Sequence, residues 1–379
     1  MDFAVRELDQ DIVKLAADFA EKRLAPTVKE RDEKEVFDRK LIDEMGELGL
    51  LGIPYEEEYG GVGADFLSMA MACEEISKTD PSIGLSFEVH TTLCSWPIWK
   101  FGTEEQKQKF LKPLASGEKL GAFGLTEPNA GTDALNGSTT AVKDGDSYIL
   151  NGSKVFNTNG GEAEITVVFA ATDKTKGAKG MSAFIVEKGT PGFTYGKKEV
   201  KMGIHGSVQR ELIFQDVKIP AAHLLGKEGE GFKIAMMTLD GGRVGVGAQA
   251  LGIAEGAFHH ALTYATERVQ FGKPIAKFQA VSFLLADMKA KIEAARYLVY
   301  KAAYSMNQGG SYSMDAAIAK KVASDVAMQV TTDAVQIFGG YGFTREYPVE
   351  RYMRDAKITQ IYEGTTQVQQ MVISGALLR

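Results

Sequence analysis

The spacing of apolar residues changes twice along the chain, and the changes divide it into three parts. At the start, Val5, Leu8, Ile12, Leu15 and Phe19 recur at steps of three and four, the stripe of an amphipathic helix that Pro26 ends or kinks. A second helix is expected over Asp38–Leu48, closed by Gly49 and Gly52, followed by a loop at Tyr59–Gly63 and a helix over Leu67–Ser77. Thr103–Leu114 opens with Thr103 three residues before Gln106, the pattern of a capping box. From about Lys119 to Leu225 the pattern shortens to β-prone runs between turn residues. Ser138–Val142 and Tyr148–Leu150 flank Lys143-Asp144-Gly145-Asp146 as a hairpin; Ile165–Ala170, Met181–Val186 and Glu211–Phe214 are further strands, and Asp173–Gly180 is a solvated loop. After Gly231 helical spacing returns over Phe232–Leu239, Ala248–Val269, Lys277–Met306, Asp315–Phe338 and Val349–Ile361. Val368, Met371 and Val372 predict a last helix with Thr365 or Thr366 as its N-cap. The chain is therefore expected to fold as α+β in three domains: helical over 1–118, β over 119–225 and helical over 226–379.

Composition narrows the class. With 379 residues, 44% hydrophobic and 25% charged, the chain can bury several cores. A net charge of −7 and a pI near 5.5 argue against nucleic acid or an anionic membrane as a partner. Cys73 and Cys94 are too few for a disulfide framework, Met1-Asp2-Phe3 lacks the start of a signal peptide, and no apolar run spans a membrane. The expectation is a soluble, cytoplasmic protein.

Candidate chemistry begins at Ile361–Met371, where Glu363 falls in an apolar run at the break between two helices and Gly364 follows it. A carboxylate in apolar surroundings has a raised pKa and can serve as a base near neutral pH, although this stretch alone reads more readily as a helix–Gly–helix corner with an exposed Glu. Gly245-Val246-Gly247-Ala248-Gln249-Ala250 matches a dinucleotide fingerprint, but a helix precedes it where a strand is required, so its small residues are assigned to helix packing. The histidines at 90, 205, 223, 259 and 260 form no metal pair at helical spacing, and no nucleophile elbow or phosphate-binding loop appears. Three polar, glycine-bearing stretches remain: Phe123–Asp133, Lys154–Gly161 and Gln336–Gly342. In the second, Phe156 and Thr158 share one face if the strand is regular.

Taken in order, Phe123–Asp133, Phe156–Thr158, Arg268-Val269-Gln270-Phe271-Gly272 with Gln279, Gln336–Gly342 and Ile361–Thr365 resemble the acyl-CoA dehydrogenases over nearly the whole chain. Lys112-Pro113-Leu114 and Met236–Arg243 look like short-chain, butyryl-CoA-type members. Asn136 stands where a smaller residue is usual, and Phe156 and Asn157 where Trp and Ile are common. The resemblance implies a helical N-terminal domain, a barrel-like middle β-domain and a C-terminal helical bundle, with FAD between the last two. It implies that Phe123, Leu125, Thr126, Gly131, Thr132, Phe156 and Thr158 line the flavin. Arg268, Phe271, Gln279, Gln336, Gly339 and Gly340 would hold the rest of FAD across a subunit boundary, and Thr365 and Gln367 would complete the site. Asp240, Arg243 and Thr132 would contact the CoA substrate, with Tyr362 and Gly364 against the acyl thioester. Glu363 would take the α-proton while the β-hydrogen leaves as hydride to flavin N5; where some relatives carry the base on the helix of Asp240–Arg243, this chain has Gly242. An electron-transferring flavoprotein partner, a homotetramer built as a dimer of dimers, and no metal are further implications. The competing readings are an acyl-CoA oxidase, an enoyl-CoA reductase, a dehydrogenase for a branched or other acyl-CoA, and a flavin-free scaffold.

Overall fold

The computed structural model describes residues 6–378, so Val5 of the first helical stripe lies outside the described residues. The rest of that stripe is α1 (Glu7–Phe19), which buries Ile12, Ala16 and Phe19 and leaves Leu8 exposed. A π-helical stretch, Ala20–Leu24, leads into the turn at Pro26 and α2 (Val28–Lys34). α3 (Arg39–Glu47) starts where the Asp38 carboxylate accepts from the Lys40 N–H, and α4 (Phe66–Thr79) starts on Asp65 in the same way. The expected capping box forms: Thr103 Oγ1 accepts from Gln106 N at 3.3 Å and Gln106 Oε1 from Thr103 N at 3.0 Å, opening α7 (Glu104–Gln106), which runs on through Lys107–Leu111 into α8 (Lys112–Ala115).

One rod was not expected from the sequence. α5 (Pro81–Glu88), a π-helical stretch (Val89–Ser95) and α6 (Trp96–Phe101) run end to end, and every residue from Pro81 to Ile98 is buried. A helix enclosed on all sides has no polar face, so periodicity is silent there. Its start is nevertheless marked: Asp80 accepts from Ser82 N and Ile83 N, and Pro81 occupies the first turn.

The middle of the chain is one sheet of β1 (Gly121–Gly124), β2 (Thr140–Asp144), β3 (Ser147–Thr158), β4 (Ile165–Ala171), β5 (Met181–Glu187), β6 (Phe193–Lys198), β7 (Gln209–Pro220) and β8 (Leu224–Leu225). Its path is β6-β7-β3-β2-β4-β5-β8, with β1 parallel to β4. The β2–β3 hairpin pairs Asp144 with Ser147 across Gly145 and Asp146, and Gly145 has φ +58°. β6, interrupted by Gly196, and the two-residue β8 escaped the sequence pattern. β4 is buried on both faces. Val168 and Ala170 join Leu150, Phe184, Leu212 and Phe214 in the β-domain's own core, while Ile165, Val167 and Phe169 pack with the helices. A strand covered on both faces reads as a nearly continuous apolar run, as Ile165–Ala170 does, broken only by Thr166.

α9 (Gly231–Glu267) is a single 37-residue helix where two helices were expected. Its glycines are packing positions, both in the expected gap and beyond it. A Cβ on Gly252 would lie 2.4 Å from the Glu74 carbonyl oxygen, and one on Gly256 2.3 Å from that of Lys78, both on α4. Close backbone approach offsets the ~1 kcal/mol that each interior glycine costs a helix. A short ribbon of β9 (Val269–Gln270) and β10 (Lys273–Pro274) leads to α10 (Gln279–Asn307), α11 (Ser313–Phe338), α12 (Val349–Thr359) and α13 (Thr366–Leu377). Thr365 caps α13, its hydroxyl accepting from Val368 N. Among the described residues no helix is long and apolar enough to cross a membrane, and no cluster of three or more His, Cys, Asp or Glu is placed to hold a metal.

Candidate active site

α12 stops at Thr359, two residues earlier than its spacing suggested, and the chain turns back through Glu363 at φ +51° and Gly364 at φ +93°. A non-glycine residue in that region is strained and persists only where its surroundings hold it. Here they do. Lys320 on α11, fully buried, donates from Nζ to the Gly364 carbonyl oxygen at 2.8 Å. Gln369 on α13 donates to the same oxygen at 2.7 Å and to that of Glu363 at 3.2 Å. The Tyr362 hydroxyl donates to Gln249 Oε1 on α9. The Glu363 N–H has no hydrogen-bond partner among the described residues.

The Glu363 carboxylate lies on α9 at Gly242, where a Cβ would stand 2.0 Å from Oε2. One turn along α9, a Cβ on Gly245 would stand 2.7 Å from Oε2 of a second carboxyl, Glu88. Burial raises the Glu363 pKa to about 7, against the opposing pull of hydrogen bonding with Glu88 and the charges of Lys320 and Arg243. Burial and the Glu363 charge together push Glu88 well above the carboxylate range. Burial lowers Lys320 to about 8. An apolar cluster of Leu85, Val89, Leu93 and Ile204 adjoins the pair, with Phe123, Leu239, Ile358 and Tyr362 packed on it. The sequence pointed to Glu363 but not to Glu88 or Lys320. Glu88 sat in the unrecognised rod, and Lys320 lay within the expected Asp315–Phe338 helix with nothing in the sequence to single it out.

Asp240 and Arg243 are also brought to this corner. Arg243 Nη1 donates to Asp240 Oδ1 at 2.5 Å, and the Ser313 hydroxyl donates to the same oxygen at 3.0 Å. Arg243 is almost enclosed, with Nε buried and unpartnered, as is the nearby Tyr312 hydroxyl.

The β-domain presents a second group. The loop after β1 is tied to β3 by a buried ion pair: Lys154 Nζ donates to Glu127 Oε1 at 2.6 Å and to the Leu125 carbonyl at 3.1 Å. Burial alone would raise the Glu127 pKa, but the Lys154 charge and hydrogen bonds from Lys154, Thr139 and Ser138 hold it down to about 2. This fixes Leu125, which is buried, and Thr126, which is half-buried; Phe123 is half-buried behind them, and Gly131 and Thr132 are exposed further along the loop. The regular face expected for Phe156 and Thr158 does not form. A bulge between Lys154 and Asn157 breaks the alternation, Phe156 sits at φ +60° with 66% of its surface exposed, and Thr158 is buried. The Thr158 hydroxyl accepts from Gln209 Nε2 at 3.1 Å, and Asn157 turns inward to donate to the Arg210 carbonyl at 2.9 Å.

The third group lines a cleft of about 480 Å³ formed by Tyr264, Arg268, Ile275, Phe338, Gly339, Gly340 and neighbours, none of them from the β-domain. Arg268 lies 5.6 Å from the Tyr341 ring centroid. A Cβ on Gly339 or Gly340 would meet nothing within 4 Å, so the backbone there is open to approach. Phe271 (93% exposed), Gln279 and Gln336 are exposed residues outside this lining, as is Gln367 on the first turn of α13.

Comparison with known proteins places the whole chain. Residues 6–118, 122–217 and 229–378 match the family models described as the N-terminal, middle and C-terminal domains of acyl-CoA dehydrogenase. A short-chain specific acyl-CoA dehydrogenase of Megasphaera elsdenii is 63% identical over 100% of both chains. The solved butyryl-CoA dehydrogenase of Megasphaera elsdenii superposes with a TM-score of 0.99 at 63% identity, covering 100% of both chains. A chain solved in work on the electron transferring flavoprotein of Acidaminococcus fermentans and flavin-based electron bifurcation superposes with a TM-score of 0.99 at 64% identity, again over 100% of both.

Proposed function

The chain belongs to the acyl-CoA dehydrogenase family, and on that premise we propose how its residues carry out the FAD-dependent α,β-dehydrogenation of a short-chain acyl-CoA, butyryl-CoA to crotonyl-CoA or the reverse reduction. The observation that carries the assignment is the Glu363 carboxylate, buried without an aligned partner and seated in a recess that exists because residue 242 is glycine. Glu363 is the base for the α-proton. Its raised pKa matches proton abstraction near neutrality. Its unpartnered N–H is the donor that polarises the thioester carbonyl and acidifies the α-hydrogen. Lys320 and Gln369 hold the corner that aims both groups. Tyr362 and Gly364 flank the acyl thioester, and Asp240, Arg243 and Thr132 contact the CoA moiety. The apolar cluster at Leu85, Val89, Leu93 and Ile204 receives a short acyl chain and excludes water.

The residues fit FAD. The Arg268 guanidinium beside the approachable Gly339–Gly340 backbone suits a diphosphate, and the cleft's aromatic faces suit a purine. The outstanding Phe156 ring, with the hydroxyls of Thr126 and Thr158, suits the flavin. Phe123, Leu125, Gly131, Phe271, Gln279, Gln336, Thr365 and Gln367 complete the assignment. Bound FAD supplies the hydride acceptor for the β-hydrogen. Because the Arg268 cleft contains no β-domain residue, we assign the two halves to facing subunits of a homotetramer, a dimer of dimers. Exposed Phe271, Phe283, Phe343, Met371 and Leu377 supply apolar surface for such contacts. Electrons leave to an electron-transferring flavoprotein in the cytoplasm, through a weak, transient contact.

The test is Glu363→Gln. The variant retains FAD but fails to bleach it on anaerobic mixing with butyryl-CoA; rapid bleaching would place the base elsewhere. Fast peroxide production from butyryl-CoA in air without a partner flavoprotein would identify an oxidase instead.

A further inference from the structure

Glu88 has no role in the chemistry assigned so far, yet it faces the base. It ends α5 where the rod turns π-helical and has no exposed surface. Its Oε2 accepts from the Thr92 hydroxyl at 3.0 Å, which leaves Oε1 free to carry a proton. Oε1 and both Glu363 oxygens are buried without a hydrogen-bond partner, and each carboxyl acts on the other's ionisation. The pair is stacked along α9, over Gly242 and Gly245, and neither carboxyl could occupy its place if its glycine carried a side chain.

Two carboxyls in one buried space do not both ionise. The surrounding groups decide which keeps the proton. Lys320 from α11 and Arg243 from α9, the latter paired to Asp240, act on Glu363. Around Glu88 there are the Thr92 hydroxyl, the neutral Cys73 thiol of α4 and the Tyr362 phenol; Glu74, next on α4, is tied to Arg296 and Tyr300. Cys73 and Tyr362 adjoin both carboxyls, but the cations Lys320 and Arg243 act on Glu363, so the negative charge belongs on Glu363.

We propose that Glu88 is a positioning residue: a protonated carboxyl that donates a hydrogen bond to the Glu363 carboxylate, fixing its direction and keeping it ionised in a buried site. This rests on Glu363 being the base. It predicts different behaviour for two substitutions. In Glu88→Gln the amide still donates, and the acid limb of the pH profile for flavin reduction keeps its midpoint. In Glu88→Leu the donor is gone, Glu363 is harder to ionise, and the midpoint moves up by about one pH unit.

The experiment pairs that profile with infrared spectroscopy of the holoenzymes, without substrate, at a pH above the Glu363 midpoint. A buried, protonated carboxyl band is expected in the wild type and in Glu363→Gln and is lost in Glu88→Gln. A wild type without the band, a band that persists in Glu88→Gln, or a Glu88→Gln midpoint that falls, as it would on removing a neighbouring negative charge, overturns the proposal. The infrared band does not depend on turnover. If Glu363→Gln still reduced flavin, the base assignment would fail on its own, while the band would still report where the proton sits.

Discussion

The Glu363 corner and the Arg268 cleft are built on opposite principles. At the corner, four helices of one chain converge on a single peptide turn: α9 supplies the glycine recess, α11 the Lys320 donor, α13 the Gln369 donor and α12 the approach. Glu88, Lys320 and Arg243 are enclosed around the carboxylate, and an αL residue is held in place. At the cleft, Arg268, Gly339 and Gly340 stand open, and no β-domain residue takes part. The difference shows what each must do. A proton transfer depends on a fixed direction and a desolvated base, so its geometry is complete in one fold. A dinucleotide held through its phosphates tolerates an open site, which can be finished by a neighbour.

The comparison can be broken first at Gly242. In Gly242→Ala the added methyl would overlap Glu363 Oε2 at 2.0 Å and Leu93 Cδ2 at 2.6 Å. Single-turnover flavin reduction is expected to fall on the order of 10²–10³-fold, because the base is displaced while the cofactor site is untouched. An unchanged flavin spectrum with lost bleaching is the signature; lost flavin would mean that the two regions are not separable. Arg268→Ala should do the reverse. FAD affinity is expected to weaken by about 10- to 100-fold, the range of a lost charge-assisted hydrogen bond, while the fraction still loaded turns over normally. Titration of apoprotein with FAD checks it.

Lys320→Met keeps the volume and removes the donor and the charge. Gln369 still holds the Gly364 carbonyl, so the loss in turnover is expected to be modest, about tenfold, the order of one net hydrogen bond. The pH profile sharpens the reading. In the wild type, flavin reduction should rise with pH through about 7 as Glu363 loses its proton. The Lys320 charge pulls that pKa down, so its removal should move the rise to higher pH. A shift to lower pH would contradict the placement of Lys320 beside the base. The smallest effect is expected at Leu93→Ala, which enlarges the apolar cluster. Each additional CH₂ it admits is worth roughly 0.8 kcal/mol, about fourfold in kcat/KM for the longer acyl-CoA. A peak at octanoyl-CoA in the wild type would refute short-chain preference altogether.

How much of this the sequence disclosed follows the same division. The three-part pattern, the capping box at Thr103, the β2–β3 turn and the Thr365 cap depend on neighbours in sequence, and local spacing announced them. Its own stretch left Glu363 readable as an exposed residue at a helix–Gly–helix corner; the ordered set of motifs along the rest of the chain singled it out. Glu88 was not, because a helix buried on every side leaves no periodic trace, although Asp80-Pro81 marked its start. The continuity of α9 through Gly241–Gly247 was hidden because glycine lowers helix propensity locally, while the groups packed on those glycines, Glu363, Leu93, Glu88 and Val299 among them, are distant in sequence. The bulge at Phe156 was hidden for a related reason: strand alternation assumes a regular ladder, and the register with β7 is set by tertiary pairing.

If each reaction centre takes its base from one subunit and its Arg268 from another, mixed assembly will show it directly. Glu363→Gln and Arg268→Ala protomers are inactive or weakly loaded alone. If the cleft serves the neighbour's flavin, a mixed dimer of the two has one centre with both defects and one with neither. Reassembling the variants together should then restore butyryl-CoA-dependent flavin bleaching in the mixed species, with wild-type rate at the restored centre. If instead Arg268 and Glu363 serve the same centre within one chain, every centre in the mixture carries one defect. Activity would then stay at the level of the separate variants, and the shared-site account would be wrong.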